Sequence, residues 1–137
     1  MVVIADTNVL ARLFLKKDNA AQHIASVRLL RDATKIVVPI VVFCELVWVL
    51  SSRTDPKMTG KEIAGSIRFV LNLSNLVAEN DAVLAGLRML DDGGDFADGV
   101  VQYTGSQLAD GPSTYASFDQ AAVHCLSARG IAAMIPQ

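Results

Sequence analysis

Short apolar runs alternate with longer stretches of helical spacing along this sequence. Five runs rich in β-branched or small apolar residues predict strands: Val2–Ala5, Ile36–Pro39, Asn75–Val77, Thr114–Phe118 and Ile131–Ile135. The first run contains no polar residue, so we expect it to be a strand buried on both faces of a sheet.

Seven stretches between and after these runs are typical of helices. They are Val9–Leu15; a helix capped by Asp18 or Asn19 that runs through Ala33; Val41–Ser52; a helix opened by the capping box Thr59–Glu62; a helix capped by Asn80 or Asp81; a helix capped by Asp95 that reaches about Leu108; and a helix opened by Asp119 and ended by Gly130. Since Val41–Ser52 is apolar on every side, it predicts a central helix. The alternation predicts an α/β fold, with a central and mostly parallel sheet flanked by helices on both faces, in one domain spanning residues 1–137.

Composition extends this picture to partners and compartment. Hydrophobic residues make up 52% of the 137 residues and charged residues only 19%, which indicates an apolar surface for a partner or a second copy. Cys44 and Cys125 lack metal-binding spacing, so we expect reduced thiols in a cytoplasmic protein without a leader sequence. The longest apolar run, Ile36–Leu50, contains a proline and a glutamate and is too short for a membrane span.

The charge distribution leaves room for a nucleic-acid substrate. The net charge is −2, with 14 acidic and 12 basic residues. Most nucleic-acid-binding proteins are basic, so the net charge alone does not indicate one. However, residues 1–68 hold ten Lys and Arg against six Asp and Glu, whereas residues 69–137 hold two against eight. If four acids belong to a metal site, the remaining surface is slightly positive. The acidic composition therefore does not exclude a phosphodiester substrate.

Four carboxylates stand out by their positions. Asp6 and Asp119 each follow a predicted strand, so we expect both at the carboxyl edge of the sheet, where ligands of α/β folds bind. Glu45 lies in the middle of the apolar helix, where an unpaired charge is costly. Asp98 follows Asp95 by three residues near a predicted helix start. Together they predict an acidic cluster.

Each acid also has a plain structural interpretation. Asp6 and Asp119 could simply cap the helices that follow them. Glu45 could pair with an arginine such as Arg53 or Arg68. Asp98 could be an ordinary acid in the first turn of its helix. The cluster is favoured because several separate elements would bring acids to one place with no cation-rich segment nearby to balance them.

Clustered carboxylates repel one another unless a cation lies between them. Oxygen ligands of this kind suit Mg²⁺ or Mn²⁺ rather than zinc. Such an ion can lower the pKa of a water molecule and neutralise phosphate oxygens. The predicted chemistry is therefore hydrolysis of a phosphodiester bond.

The motifs around these acids resemble, in order and spacing, those of PIN-domain nucleases, most closely the VapC-type toxins of bacterial toxin–antitoxin pairs. The motifs are Asp6-Thr-Asn-Val-Leu, Glu45 within Cys-Glu-Leu-Val-Trp, Asp98 within Asp-Phe-Ala-Asp-Gly, and Ser117-Phe-Asp119. The resemblance extends from Val2 to about Ala122. It implies that Asp6, Glu45, Asp98 and Asp119 are catalytic, metal-binding acids.

The same resemblance implies further properties. Asn8 and Ser117 would be supporting hydrogen-bonding residues, and cleavage would leave a 5′-phosphate and a 3′-hydroxyl. Toxin relatives form homodimers and are held inactive by a small antitoxin whose peptide occupies the acidic groove. Two positions differ from the family pattern: Ser117 replaces a threonine but keeps its hydroxyl, and Gly99 replaces an alanine, which we expect to loosen its helix slightly.

The main hypothesis from the sequence is a cytoplasmic Mg²⁺- or Mn²⁺-dependent endoribonuclease acting on an RNA such as tRNA. The alternative is a binding module, in which the chain is the antitoxin-bound component of an autorepressing DNA-binding complex and has little activity of its own. A phosphotransfer domain of the receiver type also has acids at strand ends, but it needs a lysine at its last strand end. No lysine follows Lys61, which argues against it.

Overall fold

The computed structural model describes residues 1–137 and contains five strands and seven helices in the predicted order. The strands are β1 (Val2–Ile4), β2 (Lys35–Val38), β3 (Leu76–Ala78), β4 (Tyr115–Ala116) and β5 (Ala133–Met134). The helices are α1 (Thr7–Ala11), α2 (Ala20–Asp32), α3 (Ile40–Arg53), α4 (Gly60–Leu71), α5 (Asn80–Asp91), α6 (Phe96–Ala109) and α7 (Gln120–Ala128). The mixed α/β class is confirmed. No helix has both the length and the apolar character needed to cross a bilayer.

The chain forms two compact units, Met1–Asn80 and Asp81–Gln137. The first contains a parallel sheet in the order β1-β2-β3, and the second contains the parallel pair β4-β5. All strand pairs are parallel, as the alternation of strands and helices predicted. Asp6 therefore follows a strand of the three-stranded sheet and Asp119 a strand of the two-stranded one. A single domain over the whole length stays a prediction.

Strand β1 is less buried than its sequence predicted. It lies at the edge of its sheet and pairs only with β2, with Val3 opposite Ile36. Ile4 is 75% exposed and Val2 is also exposed. The prediction of burial on both faces is therefore wrong, because an edge position is not visible in the strand's own composition. Ile36 and Val38 of β2, the central strand, are buried instead.

Helix α3 also departs from its prediction as a central helix. Phe43, Leu46 and Leu50 are fully buried, so one face forms core. The opposite face carries exposed apolar residues, with Val41 57% and Trp48 63% accessible to solvent. Because apolar residues occupy both faces, the sequence pattern could not separate the buried side from the exposed side.

Helices α5 and α6 approach each other closely at two glycines. A Cβ atom added to Gly99 would lie 2.4 Å from the backbone oxygen of Ala85, and one added to Gly86 would lie 2.5 Å from the ring of Phe96. The missing side chain permits close packing of α6 on α5, and this packing fixes the start of α6, where Asp98 lies. That Gly99 also loosens its helix stays a prediction.

Candidate functional site

Thr7 links two of the four predicted acids in the unit Met1–Asn80. Asp6 ends the loop after β1 and caps α1, since its Oδ1 accepts the backbone N–H of Thr7 at 2.8 Å. The Thr7 hydroxyl donates to Oε2 of Glu45, on α3, at 2.7 Å. Both carboxylates are thus hydrogen-bonded to the same residue. Asp6 and Glu45 come together here, as the acidic-cluster hypothesis requires of them.

Thr7 lies between Asp6 and Asn8 in the first motif, but its place in the sequence does not predict a role at the site. Thr7 is 4% exposed, so its hydroxyl is a buried donor that needs a nearby acceptor. The signal available in the sequence was a polar β-branched residue at the start of a short helix, and this could not reveal its partner 38 residues away.

Glu45 differs from its prediction in one respect. It is exposed rather than surrounded by apolar neighbours, because the face of α3 that carries it is not part of the core. It accepts a hydrogen bond from the Thr7 hydroxyl. Because Glu45 is exposed, the alternative of a buried pair with Arg53 or Arg68 is wrong.

The unit Asp81–Gln137 brings together the other two acids. Asp98, in the first turn of α6, accepts a hydrogen bond on Oδ1 from the hydroxyl of Tyr115 at 3.2 Å. Asp119 caps α7 by accepting the N–H of Ala122 on Oδ1 at 3.1 Å. The Ser117 hydroxyl accepts the N–H of Asp119 at 3.0 Å, and its supporting role at the site stays a prediction. Tyr115 is a second positioning hydroxyl that the sequence did not identify.

The electrostatics of this second group indicate crowded negative charge. Burial is the main cause that raises the pKa of Asp98 above its ordinary value, and the charges of Asp95 and Asp119 add to it, while the hydrogen bond from Tyr115 opposes them. The pKa of the Tyr115 phenol is raised as well, first by burial and then by the charge of Asp98. A cation placed among these groups would relieve the repulsion.

No basic side chain of the unit Asp81–Gln137 relieves the repulsion among Asp95, Asp98 and Asp119. The unit contains two basic residues, Arg88 and Arg129. Arg129 is committed to Asp92, to which its Nε donates at 2.6 Å. Within its own unit, none of the four predicted acids forms an ion pair.

The donor set fits a hard divalent cation. Each predicted acid accepts a hydrogen bond through one carboxylate oxygen, which leaves the second oxygen for a ligand. All of the atoms left for a cation are carboxylate oxygens, the ligand type that Mg²⁺ and Mn²⁺ prefer. Neither unit by itself arranges three His, Cys, Asp or Glu side chains to hold an ion. A four-acid centre formed from both pairs stays a prediction.

The basic residues after Asp6 lie beside a separate groove. Lys16, Lys17 and Arg53 line a cavity of about 910 Å³ in the unit Met1–Asn80, together with apolar side chains such as Phe14 and Phe69. None of the four predicted acids lines it. Lys16 and Lys17 are exposed. Exposure is expected both for lysines that contact an RNA backbone and for lysines at a solvated helix end.

Comparison with known proteins gives one family. A model described as PIN domain matches residues 3–99, which include Asp6, Thr7, Glu45 and Asp98. A search of curated proteins found no matching relative.

Proposed function

The chain belongs to the PIN domain family, whose members are generally nucleases, and we propose that it is a Mg²⁺- or Mn²⁺-dependent endoribonuclease. Asp6, Glu45, Asp98 and Asp119 would hold the metal and hydrolyse a phosphodiester bond of RNA. The products would carry a 5′-phosphate and a 3′-hydroxyl.

The observation that carries this proposal is the pair of carboxylates hydrogen-bonded to Thr7. A protein that used Asp6 only as a helix cap would have no reason to direct a second carboxylate to the same residue, since adjacent negative charges repel. The pair lies in the part of the chain that matches the family model. The second pair, Asp98 with Asp119, supports the proposal because it too lacks a protein cation.

The roles of the protein groups follow from their contacts. The Thr7 hydroxyl holds Oε2 of Glu45, and the Tyr115 hydroxyl holds Oδ1 of Asp98, so the remaining oxygens of both carboxylates keep a defined direction. When bound, the divalent ion would neutralise phosphate oxygens and lower the pKa of water. The acids themselves would fix the position of that charge against the scissile bond.

The proposal is tested by incubating the purified protein with RNA in Mg²⁺, in Mn²⁺ and in EDTA. We expect cleavage with either ion, none in EDTA, and product ends that a phosphatase can dephosphorylate only on the 5′ side. Asp6→Asn should abolish cleavage, since the amide keeps the capping acceptor but removes the charge.

The matched control is Asp110→Asn. This residue is an exposed helix end with a left-handed backbone, a conformation that asparagine adopts readily, so the variant removes one charge outside the predicted site. It should cleave like the wild type. Equal cleavage by wild type and Asp6→Asn, or cleavage that persists in EDTA, would contradict the proposal.

We further propose that the protein is the toxin of a toxin–antitoxin pair, a homodimer whose activity is blocked by a small antitoxin. Exposed apolar residues support a protein partner: Ile24 and Val27 on α2 and Phe69 on α4 lie at the surface. Val27 and Phe69 also line the groove of about 910 Å³. These residues leave apolar area that a second chain would cover.

Light scattering should give a mass twice the 14.6 kDa of one chain. A small protein encoded beside this chain should bind it and stop RNA cleavage. If the purified chain forms a DNA-binding complex with that protein but does not cleave RNA after the partner is removed, the autorepressor alternative replaces the nuclease.

A further inference from the structure

Trp48 is an exposed aromatic residue next to a predicted catalytic acid. It is the only tryptophan of the chain and 63% of its surface is accessible to solvent. Glu45 lies three residues earlier on the same helix, α3, so the two side chains share one face. Three residues of helix correspond to about 4.5 Å along the axis. The indole is therefore within about one helical turn of the carboxylate held by Thr7.

Val41, on the same face of α3, is also exposed, at 57%, but the large side chains of the opposite face differ. Phe43, Leu46 and Leu50 are fully buried. An aromatic side chain gains much of its stabilising effect from burial of its large apolar area, and Trp48 forgoes most of that gain in the folded chain. A ligand that covers the indole would recover it.

Glu45 restricts what that ligand can be. A purely apolar surface laid over this face would also remove water from an unpaired carboxylate, at a cost of several kcal/mol in general. A nucleotide avoids this conflict because its base is flat and apolar on both faces while its phosphate is polar and remains near the proposed cation site. The combination of an exposed indole and a carboxylate one turn away therefore fits a nucleotide better than an apolar protein surface.

We propose that Trp48 stacks on a nucleobase of the RNA adjacent to the scissile phosphate and thereby positions that phosphate at the acids. This inference rests on the proposed nuclease function and adds a substrate-positioning residue to it. Every nucleobase has a π-face, so the stack would tolerate any base and would favour single-stranded or unpaired RNA.

Fluorescence tests the stack directly, because the signal of the single tryptophan comes from the proposed contact. The Asp6→Asn variant, in which the proposed hydrolysis is off, is titrated in Mg²⁺ with a ten-nucleotide single-stranded RNA. An abasic ribose-phosphate decamer provides the same backbone without bases. We expect the RNA to quench the tryptophan emission and the abasic decamer to leave it unchanged.

Matched substitutions separate stacking from general apolar contact. Trp48→Phe keeps an aromatic ring, whereas Trp48→Leu keeps only an apolar side chain. In an otherwise wild-type protein, Trp48→Leu should raise KM for single-stranded RNA by roughly 5- to 150-fold with a smaller change in kcat, the range found when a base loses its aromatic partner. Trp48→Phe should recover most of the loss.

Leu108→Ala is the control, since Leu108 is a large apolar residue near the end of α6 with 86% of its surface exposed. It lies outside the proposed site and does not line the groove of about 910 Å³. This variant should bind and cleave RNA like the wild type. Circular dichroism of all three variants should show an unchanged helix content, because Trp48 is not part of the core.

The outcomes distinguish this inference from the proposed function. Normal cleavage by Trp48→Leu, or RNA binding without quenching, would overturn the inference and leave the nuclease intact. Quenching by RNA with no cleavage by the wild type would support the stack while the nuclease proposal fails. Emission that responds to protein concentration but not to RNA would assign this face to a second copy of the chain and would also overturn the inference.

Discussion

Single carboxylates in this protein serve as helix caps and as candidate ligands at once. Asp6 and Asp119 each give Oδ1 to a backbone N–H at the start of a helix. A cap needs one oxygen, so the other remains available to a cation. Capping and metal binding, which appear as alternatives in the sequence, are therefore compatible. The helix N-terminus also favours the negative charge that a ligand requires.

Thr7→Val should separate the positioning of Glu45 from the fold. Valine has the same shape and keeps the buried site filled, but it cannot donate to Oε2 of Glu45. Since hydrogen bonds that orient a metal ligand are typically worth about ten- to a hundredfold in activity, we expect kcat for RNA cleavage to fall by about that factor with little change in KM. Steady-state cleavage of a labelled RNA gives both constants.

Thr7→Ser is the matched control because serine restores the donor with one methyl group fewer. It should recover most of the activity. Equal kcat for the valine variant and the wild type would show that Glu45 does not depend on Thr7, and it would weaken the assignment of Glu45 as a ligand.

Asp98→Asn should stabilise the metal-free protein at neutral pH. The folded-state pKa of Asp98 is raised, chiefly by burial, so the folded state binds more protons than the unfolded state just above the ordinary pKa of an aspartate. The free energy of unfolding therefore falls as the pH rises through that window, and the loss persists at neutral pH. Asparagine has no charge and still accepts from Tyr115.

The expected gain is less than about 1 kcal/mol, because Asp98 is only half-buried and solvent screens its neighbours. Urea unfolding in EDTA at about pH 7 and about pH 4 measures it. The difference between variant and wild type should shrink at the lower pH. A difference that does not depend on pH would show that the charge of Asp98 does not cause it.

How much of the site the sequence can reveal depends on how local each contact is. The positions of Asp6 and Asp119 were predictable because a strand run, an acid and a helix start follow one another in the chain. The positioning hydroxyls were not, since Thr7 and Glu45 are 38 residues apart and Tyr115 and Asp98 are 17 apart. Such pairs exist only once the elements have packed.

Hydrophobic patterns predicted which helices and strands exist, and their order, better than they predicted which faces of these elements are exposed. All five strands and seven helices occur where expected, within a few residues at their ends. The first helix begins at Thr7 rather than at Val9, because Asp6 caps it directly. The exposure of β1 and of one face of α3 depends on which neighbours they acquire, and this is a property of the tertiary structure.

The packing of α6 on α5 predicts that Gly99→Ala destabilises the protein. The added Cβ would lie 2.4 Å from the oxygen of Ala85 and 2.6 Å from Cγ of Met89, so the helices would have to move apart. Overpacking of this kind costs about 1–3 kcal/mol, which exceeds the intrinsic helical advantage of alanine. Thermal or urea unfolding gives the difference.

Gly105→Ala is a control on the same helix. A Cβ at Gly105 meets nothing within 4 Å and the position is exposed, so only helix propensity changes. We expect this variant to gain about 0.5–1 kcal/mol. If both alanine variants gain stability, the close approach at Gly99 is not a packing constraint.

Across the whole molecule, charge divides unevenly between the two units. Met1–Asn80 contains ten Lys and Arg and seven Asp and Glu, whereas Asp81–Gln137 contains two and seven. The sequence pI near 5.5 therefore combines one unit of net positive charge with one of net negative charge. Cations able to meet an RNA backbone are therefore concentrated in the unit that also contains Trp48.

The prediction of a single domain has a calorimetric consequence. A chain of roughly 60 residues, the size of Asp81–Gln137, buries only about 60% of its unfolded surface, and a pair of two-residue strands adds little stability. We therefore expect this unit to fold only together with Met1–Asn80. The full chain should unfold in one endotherm of about 95 kcal/mol near 60 °C, with equal calorimetric and van't Hoff enthalpies.

Gly99→Ala provides the internal check on this expectation, because its defect lies wholly within Asp81–Gln137. In a single cooperative domain, the variant lowers the midpoint of the entire endotherm and keeps the two enthalpies equal. If the units unfold independently, only part of the heat shifts to lower temperature and the van't Hoff enthalpy falls well below the calorimetric one. That second result would replace the single domain with two folding units, each carrying one pair of the predicted acids.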